Sequence, residues 1–283
     1  MQKGISVWSF TQTKLSECFK LAKDAGFDGV EVALSESGEL NLETTREEAL
    51  SIKQAADEAG ICLYSVACGL YWEHGYTADD EQIREKAKAI TKKQLEIASW
   101  LGCDAILVVP GSVGVDFIPG KEVVEYDIAY DRALSALKEL ALTAERLKVS
   151  ICVENVWNKF LVSPLEMRDF IDKVGSEYVG SYFDVGNVLF NGYPEHWIKI
   201  LGERIKKVHF KDYRKDAGGL CGFVDLLSGD VEWDKVMKSF KKTGYNGWVT
   251  AEMLPPYRYY PETIIYNTSN AMDRILEREG SVC

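Results

Sequence analysis

The chain has 283 residues, of which 46% are hydrophobic and 27% charged, and this balance is typical of a globular protein with a sizeable core. Its formal net charge of −11 argues against general nucleic-acid binding, which needs a basic face, although local basic clusters can still bind anionic small molecules. No apolar run is long enough to predict a membrane span, and the first residues lack a secretory-signal pattern. Seven cysteines without CxxC spacing indicate reduced core residues and a cytoplasmic location.

Strand-like and helix-like stretches alternate along the chain. A short strand is predicted at 4–8, and a helix follows from about Lys14 to Ala25, with Thr13 as its N-cap. Further strands are predicted at 27–34, 61–67, 104–111, 149–154, 178–184, 205–212 and 247–252. Helices are predicted between them at 42–59, 79–101, 126–147, 164–174, 194–203 and 231–243, with a last one at 261–279.

Glycine stands just past four of these helices and just before the next strand, at Gly26, Gly60, Gly102 and Gly244. Glycine ends helices there because it adopts the left-handed conformation without steric cost. Eight strand–helix units in a chain of this length predict a (β/α)8 TIM barrel, which typically needs about 250 residues. No shift in composition marks a domain boundary, so a single domain over 1–283 is expected. A doubly wound sheet competes, but no GxGxxG follows the first strand.

Four successive predicted strands end in a side chain that can bind a metal ion: Glu154, Asp184, His209 and Glu252. The carboxyl ends of barrel strands meet on one face, so these four side chains are expected to converge. Three carboxylates buried together without a cation would be very unfavourable. Oxygen-rich ligation with one imidazole suits a hard or borderline divalent ion such as Mn²⁺, Mg²⁺, Co²⁺ or Zn²⁺.

Several motifs spread over the chain are recognisable together: GFDGVEV (26–32), VEN (153–155), FDVGN (183–187), HFKD (209–212), SGDVEW (228–233) and GYNGWVTAEM (244–253). With these motifs the sequence resembles, over essentially its whole length, the xylose-isomerase-like barrel family of sugar and sugar-phosphate isomerases and epimerases. Within that family it looks most like the ketose-phosphate 3-epimerases of the L-ribulose-5-phosphate or hexulose-6-phosphate type. The resemblance implies that Glu154, Asp184, His209 and Glu252 bind the metal, with Mn²⁺ preferred, and that Glu154 and Glu252 also carry protons.

The chemistry explains why two glutamates would be needed. A cation that holds a ketone oxygen and the neighbouring hydroxyl acidifies the carbon next to the ketone, because it stabilises the enediolate. One carboxylate then removes the proton from one face, and a second returns a proton to the other face, which inverts the stereocentre. If the proton returns to the adjacent carbon, the same groups give aldose–ketose isomerisation.

Other residues near the strand ends are candidates for binding the substrate, and each can also be a cap, a solvated charge or a packing residue. The resemblance implies a histidine at the position of Asn187 in epimerases that act on free ketoses. The phosphate branch looks more like this sequence, with an asparagine there. The basic residues Lys211, Arg214 and Lys215 could hold a phosphate. The remaining candidates are Glu31 and His74 for sugar hydroxyls and Trp8 for an aromatic wall.

The expected function is a metal-dependent ketose-phosphate epimerase, and several alternatives stay open. Within the family they are a free-ketose 3-epimerase, an aldose–ketose isomerase and an inosose dehydratase or isomerase. An abasic-site endonuclease would need many histidines, and the chain has three. A non-catalytic sugar-binding barrel with a structural metal is the reading from another class. The expected partner is a small ketose or ketose phosphate, and tyrosines at 257, 259 and 260 could form a homo-oligomer interface or cover the site.

Overall fold

The computed structural model of the protein describes residues 1–278, in which eight parallel strands form a closed barrel. This arrangement confirms the predicted TIM barrel and excludes the doubly wound sheet. Two further short strands, β8 (Asp212–Tyr213) and β9 (Phe223–Val224), pair antiparallel outside the barrel. The barrel strands are β1 (Gln2–Ser6), β2 (Gly29–Leu34), β3 (Cys62–Cys68), β4 (Ala105–Val108), β5 (Ser150–Glu154), β6 (Val179–Asp184), β7 (Ile205–Phe210) and β10 (Trp248–Ala251).

Helices connect the strands and cover the outside of the barrel, with their apolar sides buried against it. The one-turn helix α6 (Val185–Val188) directly follows β6 and therefore lies at the carboxyl end of the barrel. The helices are α1 (Leu15–Asp24), α2 (Arg46–Ala59), α3 (Glu81–Leu101), α4 (Tyr126–Leu147), α5 (Pro164–Val174), α6 (Val185–Val188), α7 (Pro194–Leu201), α8 (Trp233–Thr243) and α9 (Glu262–Ile275).

Some predicted boundaries were wrong. The N-cap of α1 is Lys14 rather than Thr13. Helix α2 begins four residues later than predicted, because the Glu48 N–H donates to the Thr45 hydroxyl while the Glu48 carboxylate accepts from the Thr45 N–H, forming a capping box. Helix α9 ends at Ile275, and the predicted end at position 279 lies outside the described residues.

The predicted glycine boundaries are confirmed. Gly60, Gly102 and Gly244 have φ values of 70°, 77° and 76° and cap the carboxyl ends of α2, α3 and α8, while Gly26 has a φ of 87° after α1. At each of these positions a β-carbon would be strained. The four glycines therefore turn the chain from a helix on the outside into the next barrel strand.

Large aromatic side chains fill the amino-terminal end of the barrel. The Tyr64 and Trp248 rings stack with centroids 3.9 Å apart. Glycines make room for them, because a β-carbon at Gly4 would overlap the Tyr64 hydroxyl and one at Gly29 would overlap the Trp248 ring. With this end packed, the open end is the one at which the strands end.

Two properties of the described chain bear on its environment. None of the helices within residues 1–278 combines the length and the hydropathy that crossing a bilayer requires. Six cysteines are free, four of them buried, and Cys283 lies outside the described residues. Burial raises the pKa of Cys103 and of Cys152, which keeps both thiols protonated and unreactive.

Candidate active site

The four side chains that the sequence predicts to converge do lie together. Glu154 and Asp184 are the last residues of β5 and β6, His209 is in β7, and Glu252 directly follows β10. One ligand atom from each residue lies within 4.8 Å of the other three, and all four residues are buried. The strand register brings these residues together. His209 in β7 is paired with Asp184 of β6 on one side and with Thr250 of β10 on the other.

Asn155 joins two of these strand ends. Its side-chain amide donates to the Asp184 carbonyl oxygen and its Oδ1 accepts from the Asp184 N–H, both at 2.9 Å. The Asp184 carboxylate in turn caps α6 by accepting from the Asn187 N–H at 2.6 Å. One oxygen of Asp184 is thereby fixed, and the other, Oδ2, faces the remaining three ligands.

The donor atoms of the cluster fit a cation. Glu154 Oε1, Asp184 Oδ2 and His209 Nδ1 are buried and form no well-aligned hydrogen bond among residues 1–278, although Lys211 Nζ lies 3.2 Å from Asp184 Oδ2. His209 Nδ1 lies 2.9 Å from Glu252 Oε2 and 3.4 Å from Glu154 Oε1. Unpaired acceptors that point at one another are unfavourable unless a positive group lies between them. Three oxygen donors and one imidazole nitrogen are an ordinary ligand set for a divalent ion.

The ionisable side chains of the cluster strongly shift one another's pKa values. Burial raises the pKa of Glu154 to about 7. Burial would also raise the pKa of Glu252, but the Lys211 ammonium and His209 outweigh it and lower that pKa to about 2. Burial lowers the pKa of His209, yet the Glu31 and Glu252 carboxylates raise it well above its ordinary value. The cluster thus attracts positive charge, whether a proton or a metal ion.

Lys211 extends the cluster toward the cavity above it. Its ammonium lies 2.7 Å from Glu252 Oε2 and 3.2 Å from Asp184 Oδ2. Burial lowers the pKa of Lys211, but Asp184 and Glu252 raise it above its ordinary value, so the side chain stays charged. Its charge is therefore already shared between two carboxylates.

Glu31 does not lie where the sequence suggested. It is fully buried beneath the cluster and does not line the cavity, so its expected contact with a sugar hydroxyl is corrected. Glu31 Oε1 lies 2.9 Å from His209 Nε2, and Oε2 accepts from the Tyr182 hydroxyl at 2.5 Å and the Ser65 hydroxyl at 3.0 Å. A carboxylate on Nε2 leaves Nδ1 of His209 as the metal-binding nitrogen.

A cavity of about 450 Å³ opens above the cluster. Glu154 and Glu252 line it, whereas Asp184 and His209 are 0% exposed beneath it. Three predicted substrate contacts, Trp8, Asn187 and Lys211, also line the cavity. The Asn187 amide is partly committed, since its Nδ2 donates to the Asn155 carbonyl at 2.9 Å. The rest of the wall is mainly apolar, with Trp72, Phe117, Trp157, Leu220, Phe223 and Leu254.

The other predicted contacts lie elsewhere. Arg214 is exposed, does not line the cavity and donates to the Ser228 carbonyl at 2.7 Å. Lys215 turns outward over the Tyr193 ring, with its ammonium 5.9 Å from the ring centroid. His74 also does not line the cavity, and its Nδ1 is buried without a hydrogen-bond partner in the described chain. Arg214 and Lys215 stand in the loop of the β8–β9 hairpin, which follows β7.

Some residues important to the site carry no recognisable local signal. Phe117 reaches the cavity from the long loop after β4 and Phe223 from the two-residue strand β9, and in neither segment does a periodicity predict the direction of the side chain. Asp212 organises the loop after β7 by accepting from the Leu227 and Val231 N–H groups at 2.9 Å and 3.2 Å and from Trp233 Nε1 at 3.1 Å. Asp212 stands within the HFKD motif, and Asn155 within VEN, so their places in those motifs were the available signal.

Sequence comparison agrees with the family resemblance. The family described as Xylose isomerase-like TIM barrel matches residues 19–269. The putative L-ribulose-5-phosphate 3-epimerase SgbU of Escherichia coli (strain K12) is 24% identical over 278 residues, covering 93% of this chain and 92% of that protein. The L-ribulose-5-phosphate 3-epimerase UlaE of Escherichia coli O157:H7 is 23% identical, covering 84% and 81%.

Solved structures share the fold. D-psicose 3-epimerase from Clostridium cellulolyticum H10, determined with D-tagatose, superposes with a TM-score of 0.80 at 18% identity, covering 98% of this chain and 99% of that one. An L-ribulose 3-epimerase superposes with a TM-score of 0.77 at 16% identity, covering 98% and 94%. The expectation of an isomerase agrees with the names of these proteins, since epimerases are isomerases.

Proposed function

The chain belongs to the xylose isomerase-like TIM barrel family, and on that premise we propose that it is a divalent-metal-dependent epimerase that inverts the carbon next to the ketone of a ketose. The observation that carries the proposal is the division within the buried cluster. Asp184 and His209 lie beneath the cavity, whereas Glu154 and Glu252 line it. The two glutamates therefore combine metal binding with access to a substrate, as an acid–base pair must.

The residues have separate roles in this proposal. Glu154, Asp184, His209 and Glu252 would hold the ion, with Mn²⁺ preferred because the donors are mainly oxygen. When bound, the ion would supply the Lewis acidity that makes the carbon next to the ketone acidic. Glu154 and Glu252 then exchange a proton with opposite faces of that carbon, and either can be the base because epimerisation runs in both directions. Lys211, 2.7 Å from Glu252, keeps that carboxylate ionised.

The observations disagree on whether the substrate is phosphorylated. The names of the curated relatives support a phosphorylated ketose. The cavity wall supports an uncharged one, because Arg214 and Lys215 face away from it and Lys211 is paired with carboxylates. We therefore propose a free ketose as the substrate. Replacing Arg214 and Lys215 with alanine should leave the KM for phosphorylated and free ketoses equally unaffected, and a selective rise for the phosphates would refute this choice.

Solvent deuterium exchange tests the reaction. With Mn²⁺ present, the wild-type protein should incorporate deuterium at the carbon next to the ketone of at least one free pentulose or hexulose. Glu154→Gln and Glu252→Gln should each slow that exchange by about 10²–10⁴-fold, the usual contribution of a positioned acid or base. If no ketose exchanges while Glu252→Gln binds sugar as well as the wild type, the protein is a sugar-binding barrel. Product stereochemistry separates epimerisation from aldose–ketose isomerisation.

We further propose that the chain forms a single barrel domain and that the protein works in a reducing, cytoplasmic compartment. Six free cysteines in the described chain support the reducing compartment.

A further inference from the structure

A second cavity, of about 390 Å³, lies beside the catalytic one among the loops that follow β4, β5 and β6. The two share a wall made of Phe117, Val156, Trp157, Asn187 and Leu220. Trp157 is fixed in that wall, because its Nε1 donates to the Asn187 carbonyl at 2.9 Å and its ring stacks on Phe223 at 5.1 Å. We call the second space the adjoining cavity, and it continues the catalytic cavity sideways.

The adjoining cavity is apolar and open to solvent. Phe190 lies 5.0 Å from Trp157, centroid to centroid, and is 61% exposed, while Val162 and Leu220 are 51% and 53% exposed. Contiguous exposed apolar side chains of this kind mark ligand or protein contacts. The charged side chains at its edge, Lys159 and Asp116, are paired with each other at 2.6 Å. Its chemistry thus suits an apolar, preferably aromatic, group.

Charged groups in the catalytic cavity are also committed. Lys211 is paired with Glu252 and Asp184. Asp212 accepts hydrogen bonds from its own loop, and Asp225 accepts one from the Tyr257 hydroxyl. Among the residues lining the two cavities there is no cation without a carboxylate partner, and an enclosed phosphate would therefore lie uncompensated.

We propose that the adjoining cavity is a substrate subsite and that the substrate is an uncharged ketose with an apolar aryl or alkyl substituent at the end remote from the ketone. This inference rests on the proposed function, because it requires the ketone end to lie at Glu154 and Glu252. The shared wall at Trp157 connects the two positions, and the substituent packs on Phe190. A bare hexulose occupies only the catalytic cavity.

Kinetics with matched substrates tests the subsite. We expect the protein to use the 6-O-benzyl derivatives of free hexuloses with a kcat/KM about tenfold higher than the parent sugars, since one good aromatic contact contributes about this factor. Phe190→Ala should abolish that preference and leave kcat/KM for the parent sugars unchanged. The matched control is Tyr193→Ala, an exposed aromatic three residues away that lines neither cavity, and it should change nothing. Equal use of both substrate sets overturns the proposal.

A binding measurement separates failure of the subsite from failure of the epimerase function. The reduced analogue 6-O-benzyl-D-glucitol has no ketone and cannot react, so calorimetry reports its affinity alone. About tenfold weaker binding to Phe190→Ala supports the subsite even if no ketose turns over. Turnover of hexuloses without any benzyl preference keeps the function and overturns the subsite. A concentration-dependent dimer that Phe190→Ala dissociates, with no effect on either ligand, assigns the apolar patch to a second copy and also overturns it.

Discussion

Glu31 offers the sharpest test of how the metal centre is built. The carboxylate accepts from the Tyr182 and Ser65 hydroxyls and lies 2.9 Å from His209 Nε2, and all four side chains are 0% exposed. Glu31→Gln keeps the size of the side chain but removes its charge. The amide retains one oxygen that can accept from His209, while its NH₂ group must donate to the hydroxyls instead.

The expected magnitude follows from this geometry. A hydrogen bond to a charged group contributes about 1.5–3 kcal/mol, roughly twice a neutral one. Substitution of the partner that orients a metal-binding histidine lowers metal affinity by about 10–100-fold. Because Gln retains one acceptor oxygen, we expect Glu31→Gln to weaken Mn²⁺ binding by about tenfold, the lower end of that range.

Titration calorimetry of Mn²⁺ into chelator-treated protein measures this effect directly, without an enzyme assay. Ser65→Ala is the control, because it removes a neutral donor from the same carboxylate at 3.0 Å and leaves the charge opposite His209 in place. Its Mn²⁺ affinity should stay within about threefold of the wild type, since only a neutral bond is lost. If Glu31→Gln binds Mn²⁺ as tightly as the wild type while remaining folded by circular dichroism, Glu31 does not orient His209.

Three further outcomes concern stability. Removing divalent ions with EDTA should lower the temperature of the unfolding midpoint. Mn²⁺ at 100 times its Kd should then restore about 2.7 kcal/mol of the free energy of unfolding. A midpoint that does not change would argue against a metal centre. Asp212→Ala leaves the Trp233 indole N–H and three backbone N–H groups without their acceptor, so urea unfolding should show a loss of about 2–4 kcal/mol in the free energy of unfolding. A loss below about 1 kcal/mol would contradict that role. The Phe240 side chain is 0% exposed, so Phe240→Ala should lower the free energy of unfolding by about 3–5 kcal/mol. The Leu142 side chain is 69% exposed, so Leu142→Ala should change it by less than about 0.5 kcal/mol. Similar losses for both variants would contradict the assigned burial.

The sequence predicts the barrel and its metal cluster because both depend on local signals. Glycines such as Gly60 and Gly102 end helices through their own backbone freedom, and short continuous apolar runs mark the strands of a parallel barrel. Once the strands are ordered in a barrel, closure brings Glu154, Asp184 and Glu252 together without further information. The convergence of ligands is therefore a property of the fold class as much as of any residue.

The depth of a side chain within the barrel and the direction of a loop could not be predicted from such local signals. Glu31 points inward as expected, but it is the third residue of β2 and lies three positions before the strand ends, so it stays below the cavity. The sequence of β2 does not reveal how far its end projects beyond that of β7. Arg214 faces outward because its N–H pairs with the Gly222 carbonyl at 2.7 Å within the hairpin, and that pairing joins segments with no local pattern in common.

The contact between Glu31 and His209 has a consequence for how the protein folds. These residues are 178 positions apart, and the ligands themselves come from β5, β6, β7 and the end of β10. Long-range contacts of this kind form late, because the chain must close large loops before they can stabilise it. Tight metal binding should therefore appear only as the last strands close the barrel, and a fragment lacking β2 would bind the ion more weakly even though it contains every ligand.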